Sequence, residues 1–109
     1  MSYFNWVNLQ YMGDVELDFK VLESALKSYL DENGIHQNAL KDLATLLEDH
    51  AATFTLYTSM IEEMLLLASR SQPDAVFGVQ GRGEELRDVW LREYGGGEIT
   101  FSQGPFHYD

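Results

Sequence analysis

The feature that most constrains this chain is a change in the spacing of its apolar residues near Arg70. Before this point, apolar residues recur every three or four positions, which is the period of a helix with one buried face. After Pro73, apolar and polar residues alternate, which is typical of strands with one buried face. The change predicts an α+β fold in which N-terminal helices pack on a small antiparallel sheet.

Three helices are predicted before Pro73. The first spans about 14–33, because its apolar residues form one stripe and the pair Asn33-Gly34 is a typical helix end. The second and third are predicted at 38–51 and 58–70. We expect a break or sharp bend between Ala51 and Ser59, since the intervening residues are β-branched and aromatic and form helices weakly.

The last third of the chain predicts strands at 75–80 and 98–103, with a hairpin turn at Gly95-Gly96-Gly97 and another turn at Gly81-Arg82-Gly83. Segment 86–94 fits a strand or a helix, and a three-stranded meander is the preferred interpretation. The alternating residues 4–9 add a possible fourth strand. The predicted core contains Phe19, Leu22, Leu26, Leu43, Leu47, Phe54, Ile61, Leu65, Phe77, Val89, Leu91 and Phe101.

The composition restricts the class of protein. A chain of 109 residues, 45% of them hydrophobic, is expected to form one globular domain, 1–109. It has no cysteine, which excludes disulfides and thiolate metal sites and fits a reducing cytosol. No signal-peptide pattern opens the sequence, and its longest apolar run, 64–68, is far too short to span a membrane. A cytoplasmic location is therefore predicted.

The charge is strongly negative and unevenly distributed. The chain has 18 acidic residues against 7 Lys and Arg, for a formal net charge of −11. Residues 1–69 contain 11 of those acids, three Lys and no Arg. This balance argues against direct nucleic-acid binding and against docking on an anionic membrane, both of which need clustered cations. It favours a basic protein as the partner.

Motifs for catalysis and for metal or cofactor binding were sought and not found. The sequence contains neither the phosphate-binding pattern G-x-x-x-x-G-K-[ST] nor the nucleophile pattern G-x-S-x-G. His36, His50 and His107 stand apart from one another, without the spacing of a zinc site. The segment Asp14-x-Glu16-x-Asp18 lacks the glycine and the final glutamate of a calcium loop. We therefore predict a non-enzyme without cofactor or metal.

The same parts of the sequence admit two further interpretations. A metal-dependent hydrolase would need Glu62 or Glu63 to pair with Asp49 across two helices, but acids on solvated helix faces explain these residues better. Likewise, the glycines around Arg82 could form an anion-binding nest, but a hairpin turn is the favoured interpretation.

A partner-binding surface is predicted from the acids that lie on or between the helices with few cations near them. Aromatic anchors are also expected, because Trp and Tyr dominate interface energetics. The candidates are Tyr57 and the exposed member of the pair Trp6 and Trp90. The predicted binding residues are Asp31, Glu32, Asp42, Glu48, Asp49, Tyr57, Glu62, Glu63 and Trp90.

Small, acidic, cysteine-free chains without catalytic motifs resemble the immunity proteins that neutralise secreted bacterial nuclease toxins. They also resemble phage proteins that block nucleic-acid-binding machinery. The resemblance lies in size and charge over the whole chain, with no shared motif, so it transfers no site residues. It implies a non-catalytic bacterial inhibitor that occludes the active site of a basic toxin. The alternative is a structural protein that forms a homodimer through an apolar stripe or a sheet edge.

Overall fold

The computed structural model describes residues 4–85 and 87–105, and it has the α+β architecture predicted from the sequence. One face of a five-stranded antiparallel sheet is covered by three helices, and the strand order is β2-β1-β3-β4-β5. In chain order the elements are β1 (Asn5–Tyr11), α1 (Phe19–Glu32), α2 (Asn38–Asp49), β2 (Ala51–Phe54), α3 (Thr58–Ser71), β3 (Phe77–Arg82), β4 (Val89–Gly95) and β5 (Glu98–Gln103).

Helix α1 begins at Phe19, five residues after the predicted start. The carboxylate of Asp18 caps it by accepting hydrogen bonds from the backbone N–H groups of Lys20 and Val21. The side chain of Gln72, just after α3, bonds to both backbone groups of Asp18, at 2.6 and 3.1 Å. The start of α1 is therefore set by a cap and a tertiary contact, which the apolar stripe does not encode.

The break predicted between the second and third helices is confirmed. Helix α2 ends at Asp49, and His50 turns the chain with a positive φ of 62°. The carbonyl of His50 accepts a hydrogen bond from the N–H of Leu9, at 2.8 Å. Residues Ala51–Phe54 then pair with β1 as an edge strand, so the β-branched and aromatic segment supplies a strand that the sequence analysis did not predict.

The C-terminal meander is also confirmed. Strands β3, β4 and β5 pair in sequence, so the ambiguous segment 86–94 is a strand from Val89 onward, while Leu86 lies outside the described residues. Gly96 and Gly97 form the predicted hairpin turn with positive φ angles of 62° and 80°. The N-terminal segment is more than an optional strand, because β1 lies inside the sheet between β2 and β3.

The predicted turn at Gly81-Arg82-Gly83 is wrong for its first two residues. Gly81 and Arg82 belong to β3, and the chain reverses only after Gly83, whose N–H donates to the carbonyl of Asp88 at 2.7 Å. Gly81 is buried beneath the indole ring of Trp90, where a Cβ would overlap the ring. The glycine therefore permits a close packing contact within a strand rather than a turn.

The core lies between the helices and the inner face of the sheet. Seven of the predicted core residues are buried: Leu22, Leu26, Leu43, Phe54, Ile61, Leu65 and Phe77. Phe19 and Leu47 are half-buried at its edge. The predictions for Val89, Leu91 and Phe101 are wrong, because these residues lie on the opposite face of the sheet. The inward face of β4 instead carries Trp90, Arg92 and Tyr94, all buried.

Among the described residues, no helix combines the length and the apolar character needed to cross a membrane.

Candidate functional site

A cleft at one corner of the helical layer is lined by one of the predicted acids, Asp42, and we call it the helix-corner cleft. It forms where the turn between α1 and α2 meets the loop between β2 and α3, and its volume is about 420 Å³. The floor includes apolar side chains and the rim is polar. Its lining residues are Asn33, Gly34, Ile35, His36, Asn38, Ala39, Asp42, Thr55, Leu56 and Met60.

Three of the predicted acids lie at this cleft or beside it. Asp42 projects from the first turns of α2 and lines the cleft directly. Asp31 and Glu32 are exposed at the end of α1, immediately before the residues that form the wall. Asp31 also accepts a hydrogen bond of 3.4 Å from the side chain of Gln37, which links the end of α1 to the start of α2.

The other wall is formed by Thr55, Leu56 and Met60, and Tyr57 and Glu63 lie on the same segments but outside the lining of the cleft. Tyr57 precedes the first residue of α3 and is 39% exposed. Glu63 lies close enough to Tyr29 of α1 that its negative charge adds to the effect of burial and raises the pKa of that phenol. Of the nine predicted residues, Asp42 lines the cleft, and Asp31, Glu32, Tyr57 and Glu63 lie on the segments that flank it.

Glu62 does not belong to this surface. Its carboxylate forms an ion pair with Arg92, which is buried on the inner face of β4. The same guanidinium donates to the carbonyls of Leu91 and Gln103, at 2.8 and 3.0 Å. The prediction that the helical acids have no cationic partner is therefore wrong for Glu62, because α3 lies directly over the strand that carries Arg92.

Glu48 and Asp49 are exposed but lie at the far end of α2. At 1.5 Å per residue, Glu48 is about 9 Å farther along the helix axis than Asp42. These two acids extend the negative surface away from the cleft instead of lining it.

The assignment of Trp90 as a surface anchor is corrected by its burial. The side chain is 1% exposed, and its indole N–H donates to the side-chain oxygen of Asn5 at 3.0 Å. Trp6 is the exposed member of the pair, at 40%. It lies on the outer side of the sheet, however, away from the helices and their acids.

The pKa of Asp42 indicates how the cleft affects a negative charge. Within the described part of the chain, no Lys or Arg forms an ion pair with Asp31, Glu32, Asp42 or Glu63. Partial burial raises the pKa of the Asp42 carboxyl above its ordinary value, because a desolvated carboxylate is less favourable. The charge at the cleft is thus maintained at some cost to stability.

Replacing Asp42 by asparagine is therefore expected to raise the free energy of unfolding at pH 7. A carboxyl whose pKa is higher in the folded state than in the unfolded state favours folding at low pH, and this contribution is lost as the pH rises through the folded-state pKa. The gain from Asp42→Asn should shrink as the pH falls below about 4. Urea denaturation at pH 7 and at a pH below about 4 measures this gain in the free energy of unfolding. Glu48→Gln is the control, because Glu48 is exposed. An equal or lower stability of Asp42→Asn at pH 7 would contradict the assignment.

A second surface was not predicted from the sequence. None of the described residues covers the side of the sheet opposite the helices, and strand register arranges most of its outward side chains in three rows. We call this surface the outer sheet face. Its rows are Thr53, Trp6, Arg82 and Val89; Ala51, Asn8, Gln80, Leu91 and Gln103; and Gln10, Gly78, Glu93 and Phe101. The alternation of residues 6, 8 and 10 with buried Val7 and Leu9 is the sequence signal that could have predicted such a face.

The histidines do not assemble a metal site in the described part of the chain, where no group of three potential ligands was found. His36 lines the cleft, and its Nδ1 accepts a hydrogen bond from the N–H of Asn38 at 3.1 Å. His50 packs edge-on against Tyr11, with 5.6 Å between the ring centroids. His107 lies outside the described residues.

The chain matches no protein-family model, and no curated protein or solved structure shows significant similarity to it.

Proposed function

We propose that this chain is a non-catalytic inhibitor that binds a basic protein partner through the helix-corner cleft, in the manner of an immunity protein that occludes a nuclease-like toxin. The observation that carries the proposal is an apolar-floored cleft that is lined by Asp42 and flanked by the segments that carry Asp31, Glu32 and Glu63. Such a surface suits a basic side chain of the partner, since the acids can pair with its charge while the floor packs against its aliphatic stem.

The raised pKa of Asp42 supports this proposal. A carboxylate that is partly desolvated and forms no ion pair within the described residues opposes folding, so an uncharged residue would stabilise the fold more. A partner's Lys or Arg would convert this unfavourable charge into a favourable one. Tyr57, exposed beside the cleft, supplies the kind of amphipathic aromatic side chain that is enriched at binding hot spots.

The test uses the basic protein encoded next to this chain's gene as the probe, because the genes of toxins and their inhibitors are expected side by side. Association rates are measured at several salt concentrations for the original chain and for a variant with Asp31→Asn, Glu32→Gln, Asp42→Asn and Glu63→Gln. We expect the variant to associate about tenfold more slowly at low salt, with a flatter dependence on salt, because acidic steering accelerates encounter with a basic surface. Glu62 is left unchanged because it pairs with Arg92.

A matched control removes the same charge from the opposite end of α1. The exposed acids at that end are Asp14, Glu16, Asp74 and Glu98. The first two precede α1, and the other two flank the hydrogen bond from the N–H of Gly96 to the carbonyl of Pro73. Neutralising these four should slow association much less. If the two variants slowed association equally, net charge alone would steer the encounter. If neither variant changed the rate or the salt dependence, the helix-corner cleft would not be the interface.

A further inference from the structure

Among the described residues, the outer sheet face is a surface of regular structure that no helix covers. Helices protect only one side of the sheet, so the other side exposes large apolar groups to solvent. Trp6 and Phe101 are 40% and 44% exposed, and Met12 lies against Gly78 and Glu93 at the same face. Trp6 and Phe101 lie at opposite corners of the face, and the half-buried side chains of Val89 and Leu91 lie between them. Large exposed apolar side chains of this kind are typical of interaction surfaces in soluble proteins.

The charge of this face identifies the kind of partner that fits it. Its three rows contain one cation, Arg82, and one anion, Glu93, and Glu98 adds a second anion where it pairs with Gly95 at one end of the face. The face therefore carries a small part of the total charge of −11. A basic partner is attracted to the acidic helices and loops rather than to this face. Two copies of the chain repel each other along those acidic sides, and they meet with little net repulsion through this nearly neutral face.

Arg82 and Glu93 lie too far apart within one chain to form an ion pair with each other. The register pairs Gly78 with Glu93, and Arg82 lies four residues beyond Gly78 on the same strand, or about 13 Å at 3.3 Å per residue. The guanidinium of Arg82 lies 5.2 Å from the centroid of the Trp6 ring. Within the described residues, neither Arg82 nor Glu93 forms an ion pair.

We infer that the outer sheet face binds a second copy of this chain in a two-fold symmetric dimer, with the two sheets stacked face to face. A two-fold axis that crosses the strands along the middle row, through Asn8, Gln80 and Leu91, exchanges the two outer rows. Arg82 then lies over Gly78 of the second copy, whose missing side chain leaves room for it. Glu93 is the cross-strand neighbour of Gly78, so each Arg82 meets a Glu93 of the other copy.

This arrangement is selective for one orientation. A two-fold axis parallel to the strands would keep each row opposite itself, so that it would bring no opposite charges together. Isologous contacts of this type repeat every interaction twice, and the dimer therefore contains two Arg82–Glu93 pairs. The inference is independent of the proposed function, because it concerns the side of the sheet that the helix-corner cleft does not use.

The size of the face sets the expected strength. Five strands spaced about 4.8 Å apart and about 20 Å long cover about 480 Å² per copy. Two copies would bury about 1,000 Å², which is at the lower limit for a specific interface. We therefore expect a dimer with a dissociation constant in the range of about 1–100 µM rather than a permanent one.

Sedimentation velocity of the full chain, from about 1 µM to about 500 µM, tests the inference. The original chain is expected to pass from monomer to dimer over this range. Arg82→Glu and Glu93→Arg should each weaken self-association at least tenfold, since each places like charges opposite one another twice. An equimolar mixture of these two variants should form a heterodimer of nearly the original affinity, because both contacts are then again of opposite sign.

Two control variants make the same changes in charge on exposed positions of α1, namely Lys27→Glu and Glu23→Arg. Neither control variant should weaken self-association as the sheet variant with the same change in charge does. Mixing the two control variants should therefore leave the affinity unchanged. A chain that remains monomeric at about 500 µM would overturn the inference and leave the face to another partner. A dimer that forms but is not restored by mixing the two sheet variants would also overturn it, because the contact would then use another surface.

Discussion

Replacing Gly81 by alanine is expected to lower the free energy of unfolding by about 3 kcal/mol, which is a large part of the stability of a small domain. Gly81 is buried on the inner face of β3, and Trp90 of β4 packs directly on it. A Cβ at this position would overlap the six-membered part of the indole ring and its nitrogen. The ring cannot retreat easily, because its N–H is bonded to Asn5 beneath the helices.

The measurement is urea denaturation followed by circular dichroism. Gly13→Ala is the matched control, since Gly13 has open space around its Cα and a Cβ there would meet no atom within 4 Å. That variant should be neutral or slightly more stable, because alanine restricts the unfolded chain. Combining Gly81→Ala with Trp90→Leu should cost less than the sum of the two single changes if the ring is the obstacle. Additive costs would show that Trp90 is not the cause.

Replacing Asn5 by alanine is expected to cost about 2–4 kcal/mol. Asn5 is fully buried at the start of β1, where its amide nitrogen donates to the carbonyl of Leu56 at 2.8 Å and its oxygen accepts from Trp90 at 3.0 Å. Alanine would leave both partners buried without a hydrogen bond and would open a small cavity. The expected cost exceeds that of an ordinary hydrogen bond because two desolvated groups lose their partner at once.

Asn8→Ala is the control on the same strand, because Asn8 faces outward and is exposed. We expect its effect on monomer stability to stay within about 0.5 kcal/mol. A double-mutant cycle with Asn5→Ala and Trp90→Phe isolates the hydrogen bond between the two side chains, since phenylalanine has no N–H to leave unpaired. If Asn5→Ala were as harmless as Asn8→Ala, the buried bridge would not stabilise the fold.

The helices and the hairpin could be predicted because their signals are local. The apolar spacing of α2 and α3 located both helices to within two residues at each end, and β5 was predicted at its observed bounds. The triple glycine between β4 and β5 indicated a hairpin turn by composition alone, and two of the three have positive φ. These features depend on the residues immediately around them, so the sequence contained enough information to find them.

The face of β4 that points into the core could not be predicted from the sequence, because both of its faces carry apolar side chains. The predicted core contains Val89 and Leu91, whereas the buried face of the strand carries Arg92, and arginine is rarely inside a protein. Arg92 is tolerated there because Glu62 of α3 and the carbonyl of Gln103 of β5 meet its guanidinium. Both partners are distant in sequence, so alternation alone could not choose the face.

At the candidate site, the sequence by itself determined which charged side chains are present, and the tertiary structure decided which of them lie near one another. The excess of acids and the absence of cysteine are properties of composition, and the basic partner that the acids suggest stays a prediction. Only the packing of α1 against α2 and α3 brought Asp31, Asp42 and Glu63 toward one cleft while it turned Glu62 inward and buried Trp90. The physical reason is that charge and periodicity add up along a chain, whereas burial and ion pairing depend on which elements meet in space.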